Sequence, residues 1–468
     1  MQKTDLLIKN GTVITMNKKR EILYDCAIAV TGDRFTEIGP TRDLESRYTA
    51  AKVIDAKGKF VFPGLINTHS HLFQVLLKGL GRDKVLLDWL DSSVRRAIWQ
   101  IDEECVYYAA LVGCIENIRS GTTTLLDYMY CHGKPGLDDM VLKAFEDTGI
   151  RGILGRGYTN TKTLPVDCPC ELNETEDMFF VEVEKLAGLY KDHPKIDIAL
   201  APGIIWDVSE EGFKTIRQLA NKHGLLITMH TVETEDDDEY CLANRGMRTV
   251  PYLKKIGLLG PDYLAVHSVH LQPEDIAIYR ELDVKVSHNP VSNMILASGV
   301  APVPELLRQG ITVSLATDGA ASNDTQDMLE VLKTTALLHK LHTRDAAVVS
   351  ANQVVEMATL GGAKAIGKED KLGSIAPGKK ADLFIYNPLT AKSTPVADPI
   401  STLIYSSGQS NVETTIIGGE VVLEEGRIVK VNEREVLLKL QEVAAALRTR
   451  TKLGNTQWGQ RISIGSFR

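Results

Sequence analysis

Two histidines one residue apart, His69 and His71, end an apolar run that begins at Phe60. Alternate residues of a β-strand point to the same face, so two such imidazoles can be aimed at one point. At the carboxyl end of a strand, where loops gather, that point can bind a metal ion. The pair alone is weak evidence, because surface histidines recur by chance, but similar residues follow further along the chain.

Three later apolar runs also end in histidine, at His230, His267 and His288, and a fourth ends at Asp318. A buried imidazole or carboxylate is unfavourable unless it is paired or bound to metal. For His267 or His288 alone, a hydrogen-bonded packing role is the better explanation. The five histidines and Asp318 together predict a metal site, and nitrogen-rich ligation with one carboxylate favours zinc or ferrous iron over calcium or magnesium.

A single divalent ion is the expected cofactor. Three histidines and Asp318 around one ion leave a position for water, as in an open catalytic site. A second ion usually needs a bridging ligand, often a carbamate formed on a lysine of the fourth strand. The fourth run, 196–203, has no lysine on its barrel-facing stretch.

Glu233 lies three residues beyond His230, where a carboxylate can move protons without binding the metal. The alternative is that Glu233 only opens the acidic run 235–239, a solvated helix start. That alternative explains the run well and Glu233 less well, because Glu233 adjoins a predicted ligand.

The elements that position these residues are apolar, strand-like runs, most of them separated by stretches with helical periodicity. Parallel strands need helical crossovers and eight close into a filled barrel, so we expect an α/β fold, a (β/α)₈ TIM-like barrel over residues 61–370. A doubly wound open sheet is the alternative, but no Gly-x-Gly-x-x-Gly follows any run. The runs are 61–67, 122–128, 151–157, 196–201, 225–230, 263–267, 284–288 and 311–317.

The two chain ends predict a small β-sandwich domain. Two short apolar runs flank Asn10-Gly11, a pair typical of a type I′ hairpin turn, and similar runs recur between residues 381 and 423. Neither end alone has enough strands for a core, so residues 1–60 and 371–430 are expected to form one domain. The remaining segment, 431–468, predicts an amphipathic helix over 433–448 and a polar tail.

Composition indicates which classes of partner and which compartment to expect. The chain has 44% hydrophobic and 24% charged residues, which is ordinary for a soluble globular protein. A net charge of −8 argues against nucleic acid and anionic membranes as partners. No apolar stretch is long enough to span a membrane and no signal peptide begins the sequence, so we expect a cytoplasmic protein. The seven scattered cysteines, Cys168 and Cys170 among them, are interpreted as reduced thiols.

The order of these motifs resembles the amidohydrolase superfamily. The run 63–71 is similar to its first-strand motif, and 372–382 is similar to its return into a β-sandwich. Four further segments look like those of the branch that contains S-adenosylhomocysteine/methylthioadenosine deaminases and s-triazine hydrolases such as atrazine chlorohydrolase. The resemblance covers nearly the whole chain, and those four segments are 230–233, 266–270, 287–293 and 317–323.

The resemblance implies a homodimer in which His69, His71, His230 and Asp318 hold one divalent ion, zinc or else iron. It implies that a metal-activated water gives a proton to Asp318 and attacks a ring carbon that carries an amino group. Glu233 would protonate the adjacent ring nitrogen. His267 would hold the hydroxide and stabilise the tetrahedral intermediate, and Asp318 would pass its proton to departing ammonia.

Gln74, Trp89 and His288 are the candidate substrate contacts. Gln74 resembles a glutamine that reads the ring in triazine and purine-base enzymes. Trp89 and His288 are plausible ring contacts, and equally a core aromatic and a histidine behind the site. The nucleoside deaminases of the branch have a ribose-binding glutamate where Leu87 stands, and a histidine where 202–204 reads Pro-Gly-Ile. Both differences weaken the case for a thioadenosine substrate.

We therefore expect an aminohydrolase that replaces the exocyclic amino group of a small purine, pterin or triazine-type heterocycle by hydroxyl and releases ammonia. Atrazine chlorohydrolase has an asparagine directly after its metal aspartate, whereas Gly319 follows Asp318 here, as in deaminases. A triazine chlorohydrolase or N-dealkylating hydrolase is thus the alternative. A non-catalytic scaffold on the same fold is a remote alternative, because no ligand is missing.

Overall fold

The structure is a computed structural model that describes residues 1–161 and 175–454. Cys168, Cys170, most of the segment 158–177 and the tail beyond residue 454 lie outside the described residues. The strands, in chain order, are β1 Gln2–Ile14, β2 Ile22–Thr31, β3 Arg34–Pro40, β4 Tyr48–Asp55, β5 Phe60–Pro63, β6 Leu65–His71, β7 Thr122–Met129, β8 Arg151–Tyr158, β9 Ile196–Pro202, β10 Ile227–Thr231, β11 Tyr263–His267, β12 Lys285–His288, β13 Val313–Leu315, β14 Asp318–Gly319, β15 Leu383–Tyr386, β16 Val412–Ile417, β17 Glu420–Glu424 and β18 Arg427–Ile428.

The helices lie mainly between consecutive strands from β6 onward, which is the alternation that parallel strands require. The last one confirms the helix predicted near the C-terminus. No helix in the described part of the chain is long and apolar enough to cross a bilayer. The helices are α1 Thr41–Arg47, α2 Leu86–Ser92, α3 Val94–Ala97, α4 Glu103–Arg119, α5 Leu137–Thr148, α6 Glu176–Tyr190, α7 Glu210–His223, α8 Glu235–Arg245, α9 Thr249–Lys255, α10 Pro273–Leu282, α11 Pro290–Ile295, α12 Val303–Arg308, α13 Met328–Thr343, α14 Ala351–Glu356, α15 Gly362–Ala365, α16 Pro399–Tyr405 and α17 Glu433–Thr451.

The first sheet is built from both ends of the chain, as predicted. Its strand order is β18-β17-β16-β15-β5-β1-β2-β3, and β4 pairs with β1. Strand β5 is the junction, because it pairs with β1 on one side and with β15 on the other. Leu6, Ile28 and Phe35 from the N-terminal part share one buried cluster with Leu383 and Ile416 from the C-terminal part. The two parts therefore share this core cluster, and a second, smaller cluster is formed by N-terminal residues alone.

The predicted hairpin at Asn10-Gly11 is wrong. Strand β1 continues through both residues and pairs with β2 on either side of them, with a register shift at Gly11. A type I′ turn needs positive φ at both central residues, but only Asn10 has one, at 60°. The pair therefore forms a β-bulge inside a long strand, not a turn.

The apolar run expected to form the first barrel strand is two strands. Residues 60–63 form β5 in the first sheet, and β6 begins the barrel at Leu65. Gly64 lies between them, where a Cβ would be 1.9 Å from Oγ1 of Thr123, so only glycine fits. Hydropathy does not reveal this break, because every residue of both strands is buried.

The second sheet is the barrel. Its parallel order is β13-β12-β11-β10-β9-β8-β7-β6-β14, in which β13 and β14 are two pieces of the eighth strand. The first piece pairs with β12 and the second with β6, so the sheet closes on itself. The predicted (β/α)₈ barrel is confirmed, and the doubly wound open sheet is not formed.

Side-chain hydrogen bonds of Asn67 complete the closure between β13 and β14. Its Oδ1 accepts from the backbone N of Thr317 at 3.1 Å, and its Nδ2 donates to Oγ1 of the same residue at 2.8 Å. The same Nδ2 also donates to Oδ1 of Asn117 on α4 at 3.0 Å. A buried amide thus supplies the bonds that the interrupted strand lacks.

A buried ion pair ties the barrel to the first sheet. Arg151, the first residue of β8, donates from Nε and Nη2 to the two carboxylate oxygens of Asp382 at 2.8 and 3.0 Å. Both side chains are only 5% exposed. Asp382 also accepts from the backbone N of Gly418 at 2.7 Å. Such a pair is geometrically specific, and losing one partner leaves a buried charge.

Replacing Asp382→Asn should lower the free energy of unfolding by about 3–5 kcal/mol, because Arg151 then stays buried without its counter-ion. The control is Glu424→Gln, whose pair with Lys52 is 44% exposed on both sides. That change should lower stability by at most about 1 kcal/mol. Urea unfolding measures both variants, and equal losses would contradict the interpretation.

Candidate metal centre and active site

The carboxyl ends of the barrel strands bring the predicted residues to one rim. His69 and His71 lie at the carboxyl end of β6, His230 lies in β10, and His267 ends β11. Asp318 begins β14, which pairs directly beside β6. All of these side chains are buried or nearly so.

Three distances define the centre. The Nε2 atoms of His69 and His71 each lie 3.3 Å from Oδ1 of Asp318. Nε2 of His71 also lies 3.3 Å from Nε2 of His230. An ion with tetrahedral ligands at about 2.0–2.1 Å holds its ligand atoms about 3.3–3.4 Å apart. The spacing therefore fits one zinc-sized ion.

His267 is the one other histidine close to this point. One ligand atom each from His69, His230, His267 and Asp318 lie within 4.8 Å of one another. Nδ1 of His267 is 2.8 Å from Oδ1 of Asn293, and its Nε2 is 3.4 Å from Oε2 of Glu233. No second cluster of this kind occurs within residues 1–161 and 175–454.

The protonation state of the imidazoles suits the binding of a cation. Burial lowers the pKa of His69 to about 3 and that of His230 well below its usual value, so both rings are neutral. Nδ1 of His71 donates to the carbonyl oxygen of Tyr128 at 2.8 Å, which leaves the lone pair of Nε2 for a ligand. Both ring nitrogens of His69 are buried without a hydrogen-bond partner. A bound ion would supply the partner that Nε2 lacks.

Asp318 is held as an ionised carboxylate. Burial by itself raises its pKa, but the adjacent imidazoles of His69 and His71, each 3.3 Å from Oδ1, lower it well below the usual value. Its second oxygen, Oδ2, accepts from the hydroxyl groups of Ser292 and Ser322. The four contacts fix both carboxylate oxygens and hold the group as a hydrogen-bond acceptor.

Glu233 is separated from the acidic run that follows it. Its side chain is buried, accepts from Oγ of Ser298 at 3.2 Å and faces His267, whereas the side chain of Glu235 is 81% exposed. Burial raises the pKa of Glu233. A carboxyl group with a raised pKa beside an ionised one suits proton transfer.

Strained backbone surrounds the centre. Val232, His267, Ser268 and Asp318 have φ values of 50°, 68°, 52° and 61°. Positive φ is unfavourable for residues other than glycine, by about 1–3 kcal/mol each. All four lie at the ends of barrel strands beside the metal residues, so the surrounding fold holds these side chains in place.

A pocket opens from the centre, and the predicted substrate contacts Gln74 and Trp89 are among the residues that line it. Nε2 of Gln74 donates to the hydroxyl of Tyr130 at 2.8 Å, and its buried Oε1 has no hydrogen-bond partner among the described residues. A Cβ at Gly319 would lie 1.9 Å from that Oε1. The glycine after Asp318 is therefore what allows Gln74 to enter the pocket.

His288 does not line the pocket in the part of the chain that the structure describes. Its Nε2 lies 3.1 Å from Nε2 of His339 on α13, and burial lowers the pKa of both rings. This geometry corresponds to a histidine behind the site, which was the alternative to a ring contact.

Other pocket residues were not singled out from the sequence. Tyr128 and Tyr130, at and just beyond the end of β7, alternate as His69 and His71 do, and that spacing could have identified them. Arg95 on α3 and Asp207 after β9 also line the pocket. Neither belongs to a periodic pattern, so no signal in the sequence identifies them.

The chain is similar to known proteins over nearly its whole length. The model of the amidohydrolase family matches residues 60–422. A 5′-deoxyadenosine deaminase of Methanosarcina mazei is 37% identical over 443 residues, covering 95% of this chain and 98% of that protein. A 5-methylthioadenosine/S-adenosylhomocysteine deaminase of Syntrophobacter fumaroxidans is 34% identical over 447 residues, covering 95% and 99%.

Two solved structures are similar over nearly their whole length. An adenosine deaminase from Xanthomonas campestris with bound zinc has a TM-score of 0.89 and 29% identity, covering 96% of this chain and 99% of that one. Atrazine chlorohydrolase from Arthrobacter aurescens TC1 complexed with zinc has a TM-score of 0.86 and 26% identity, covering 94% and 100%. The resemblance read from the motifs is confirmed, and the chain belongs to the amidohydrolase family.

Proposed function

We propose that this protein is a metal-dependent aminohydrolase that replaces an exocyclic amino group of a small N-heterocycle by hydroxyl and releases ammonia. The observation that carries the proposal is the set of 3.3 Å distances that join His69, His71, His230 and Asp318, with Glu233 beside them. The relatives named as deaminases support the same reaction class. None of the proposed ligands is missing, which disfavours a non-catalytic scaffold.

We propose zinc as the ion, held by His69, His71, His230 and Asp318, with iron as the second choice. The donor set of neutral nitrogens and one carboxylate fits zinc, and two similar structures contain it. When bound, a divalent ion lowers the pKa of water toward about 7 and so makes a hydroxide nucleophile available near neutral pH.

Asp318 is proposed to take the proton of the attacking water and to return it to the departing ammonia. Its low pKa makes it an ionised acceptor, and its contacts with Ser292 and Ser322 keep its oxygens oriented. The proton is released when the leaving amino group, now on a tetrahedral carbon, becomes more basic than the carboxylate.

Glu233 is proposed to protonate the ring nitrogen next to the reacting carbon, so that negative charge does not build up on the ring. Its raised pKa favours the protonated form that this step needs. His267, oriented by Asn293, faces Glu233 and would stabilise the hydroxyl of the tetrahedral intermediate.

The substrate is proposed to be a purine, pterin or triazine-type ring with an amino group. Gln74 and Trp89 are the proposed ring contacts, and Leu87 gives no ribose contact of the kind expected in nucleoside deaminases. Displacement of chloride or an alkylamine is the second candidate, supported by the likeness to atrazine chlorohydrolase. We also propose, on the sequence expectations alone, a cytoplasmic homodimer.

The exchange Glu233→Gln should leave about one zinc per chain and lower kcat for ammonia release by about 10²–10⁴-fold, because the amide cannot transfer the proton. The matched control is Glu235→Gln, two residues away and exposed, which should keep wild-type kcat. Elemental analysis and an ammonia assay read out both variants. Retained activity in Glu233→Gln would remove Glu233 from this role.

Replacing His230→Ala should abolish zinc binding and lower ammonia release by about 10³-fold or more, because one of the four ligands is lost. The control is His223→Ala. His223 is the last residue of α7, and its Nε2 lies 2.7 Å from Oε1 of Glu184. That variant should retain both metal and activity. Full zinc occupancy in His230→Ala would show that the ligand set is different.

Gly319→Ala should displace the Gln74 side chain and raise KM about tenfold with little change in zinc content, because the new methyl group overlaps Oε1. Gly188→Ala is the control, since a Cβ there meets nothing within 4 Å. An unchanged KM in Gly319→Ala would mean that Gln74 does not contact the substrate.

A further inference from the structure

Arg95 is a positively charged residue on the wall of the active-site pocket. It lies on α3, and the apolar side chains of Leu90, Val94 and Ile98 line the same pocket. Its side chain is 15% exposed, and Nη1 donates to Oδ1 of Asp91 at 2.7 Å. The Asp91 side chain is itself 58% exposed, so water screens this pair and Asp91 compensates the charge of the guanidinium only in part.

The remaining donors of Arg95 are available to a ligand. Within the described ranges, Nε and Nη2 of Arg95 donate to no protein acceptor. The next residue gives the contrast: Arg96 is exposed, donates from Nε to the backbone O of Asp91 at 3.1 Å, and does not line the pocket. Only one of two adjacent arginines thus faces the substrate space.

Tyr130 adds a second donor on the same side of the pocket. Its hydroxyl accepts from Nε2 of Gln74, so the phenolic hydrogen is left for another acceptor. The phenol is therefore a hydrogen-bond donor, and it is close enough to Arg95 for the charge of the guanidinium to act on it.

These donors would be dehydrated when a flat ring fills the pocket. A guanidinium and a phenol that lose water without gaining an acceptor oppose binding, whereas an acceptor oxygen in the ligand restores the lost hydrogen bonds. A site of this kind rejects analogues that lack the acceptor. The unpartnered Oε1 of Gln74 provides the complementary acceptor for a ring N–H.

We propose that Arg95 is a specificity-determining residue that, together with Tyr130, binds an electron-rich oxygen of the substrate. This inference rests on the proposed function, since it concerns the substrate of the same site. The oxygen is either a carbonyl on the heterocycle or a carboxylate on a substituent of the heterocycle, and both present the same acceptor to a guanidinium.

The test compares ligands that differ mainly in that oxygen. For the ring carbonyl, the pairs are 2,6-diaminopurine with guanine, 2,4-diaminopteridine with pterin, and melamine with ammeline. For the carboxylate, the pair is 5′-deoxyadenosine with adenosine-5′-carboxylic acid. Isothermal titration of the zinc-loaded protein gives each dissociation constant, and an ammonia assay gives kcat and KM where turnover occurs.

The oxygen-bearing member of at least one pair should bind about 10- to 100-fold more tightly than its partner, as expected for hydrogen bonds to a charged group. In Arg95→Gln that preference should fall to within about threefold, chiefly through KM or Kd with kcat retained. Arg96→Gln is the matched control and should keep the wild-type preference. Arg95→Met, which preserves the apolar stem, repeats the test if the glutamine variant is unstable.

Either of two results would overturn the inference: wild-type protein that prefers no oxygen-bearing member, or an Arg95→Gln variant that keeps the preference. The pair that shows the effect identifies the oxygen as carbonyl or carboxylate. Failure of the proposed function has a different signature, because ammonia would then be released from none of the ligands while the binding preference for oxygen could still be measured.

Discussion

The pairing of β14 with β6 is the constraint on which the site depends. It places Asp318 opposite Ser70 and Gly319 opposite His71, so the carboxylate of the eighth strand lies against the two histidines of the first. The eighth strand reaches this position only by leaving β12 after Leu315, and Asn67 stabilises that change of partner. Closure of the barrel and assembly of the ligand set are therefore the same structural event.

Two carboxyl groups near the centre have opposite tendencies. His69 and His71 stabilise the charged form of Asp318, whereas burial favours the neutral form of Glu233. Such a difference between neighbouring acids allows one to accept a proton while the other donates one. His267 is held next to Glu233, because Asn293 contacts one of its ring nitrogens and the other faces the Glu233 carboxyl group.

The sequence was most informative where a buried strand ends in a polar residue. His230, His267 and Asp318 were placed correctly on the rim because strand periodicity and parallel topology leave few alternatives. It was misleading at Asn10, since a bulge and a turn share the same residue preferences and differ only in backbone angles. Arg95 could not be found at all, because its position depends on an irregular loop and a short helix.

The junction strand β5 has a consequence for synthesis of the chain. It leads directly through Gly64 into the strand that carries His69 and His71, yet its partner β15 lies near the other end of the sequence. While the ribosome is still making the barrel, one side of this wholly apolar strand is an open edge, which is prone to pair with other chains. Nascent chains that stop before Leu383 should therefore be both inactive and prone to aggregate.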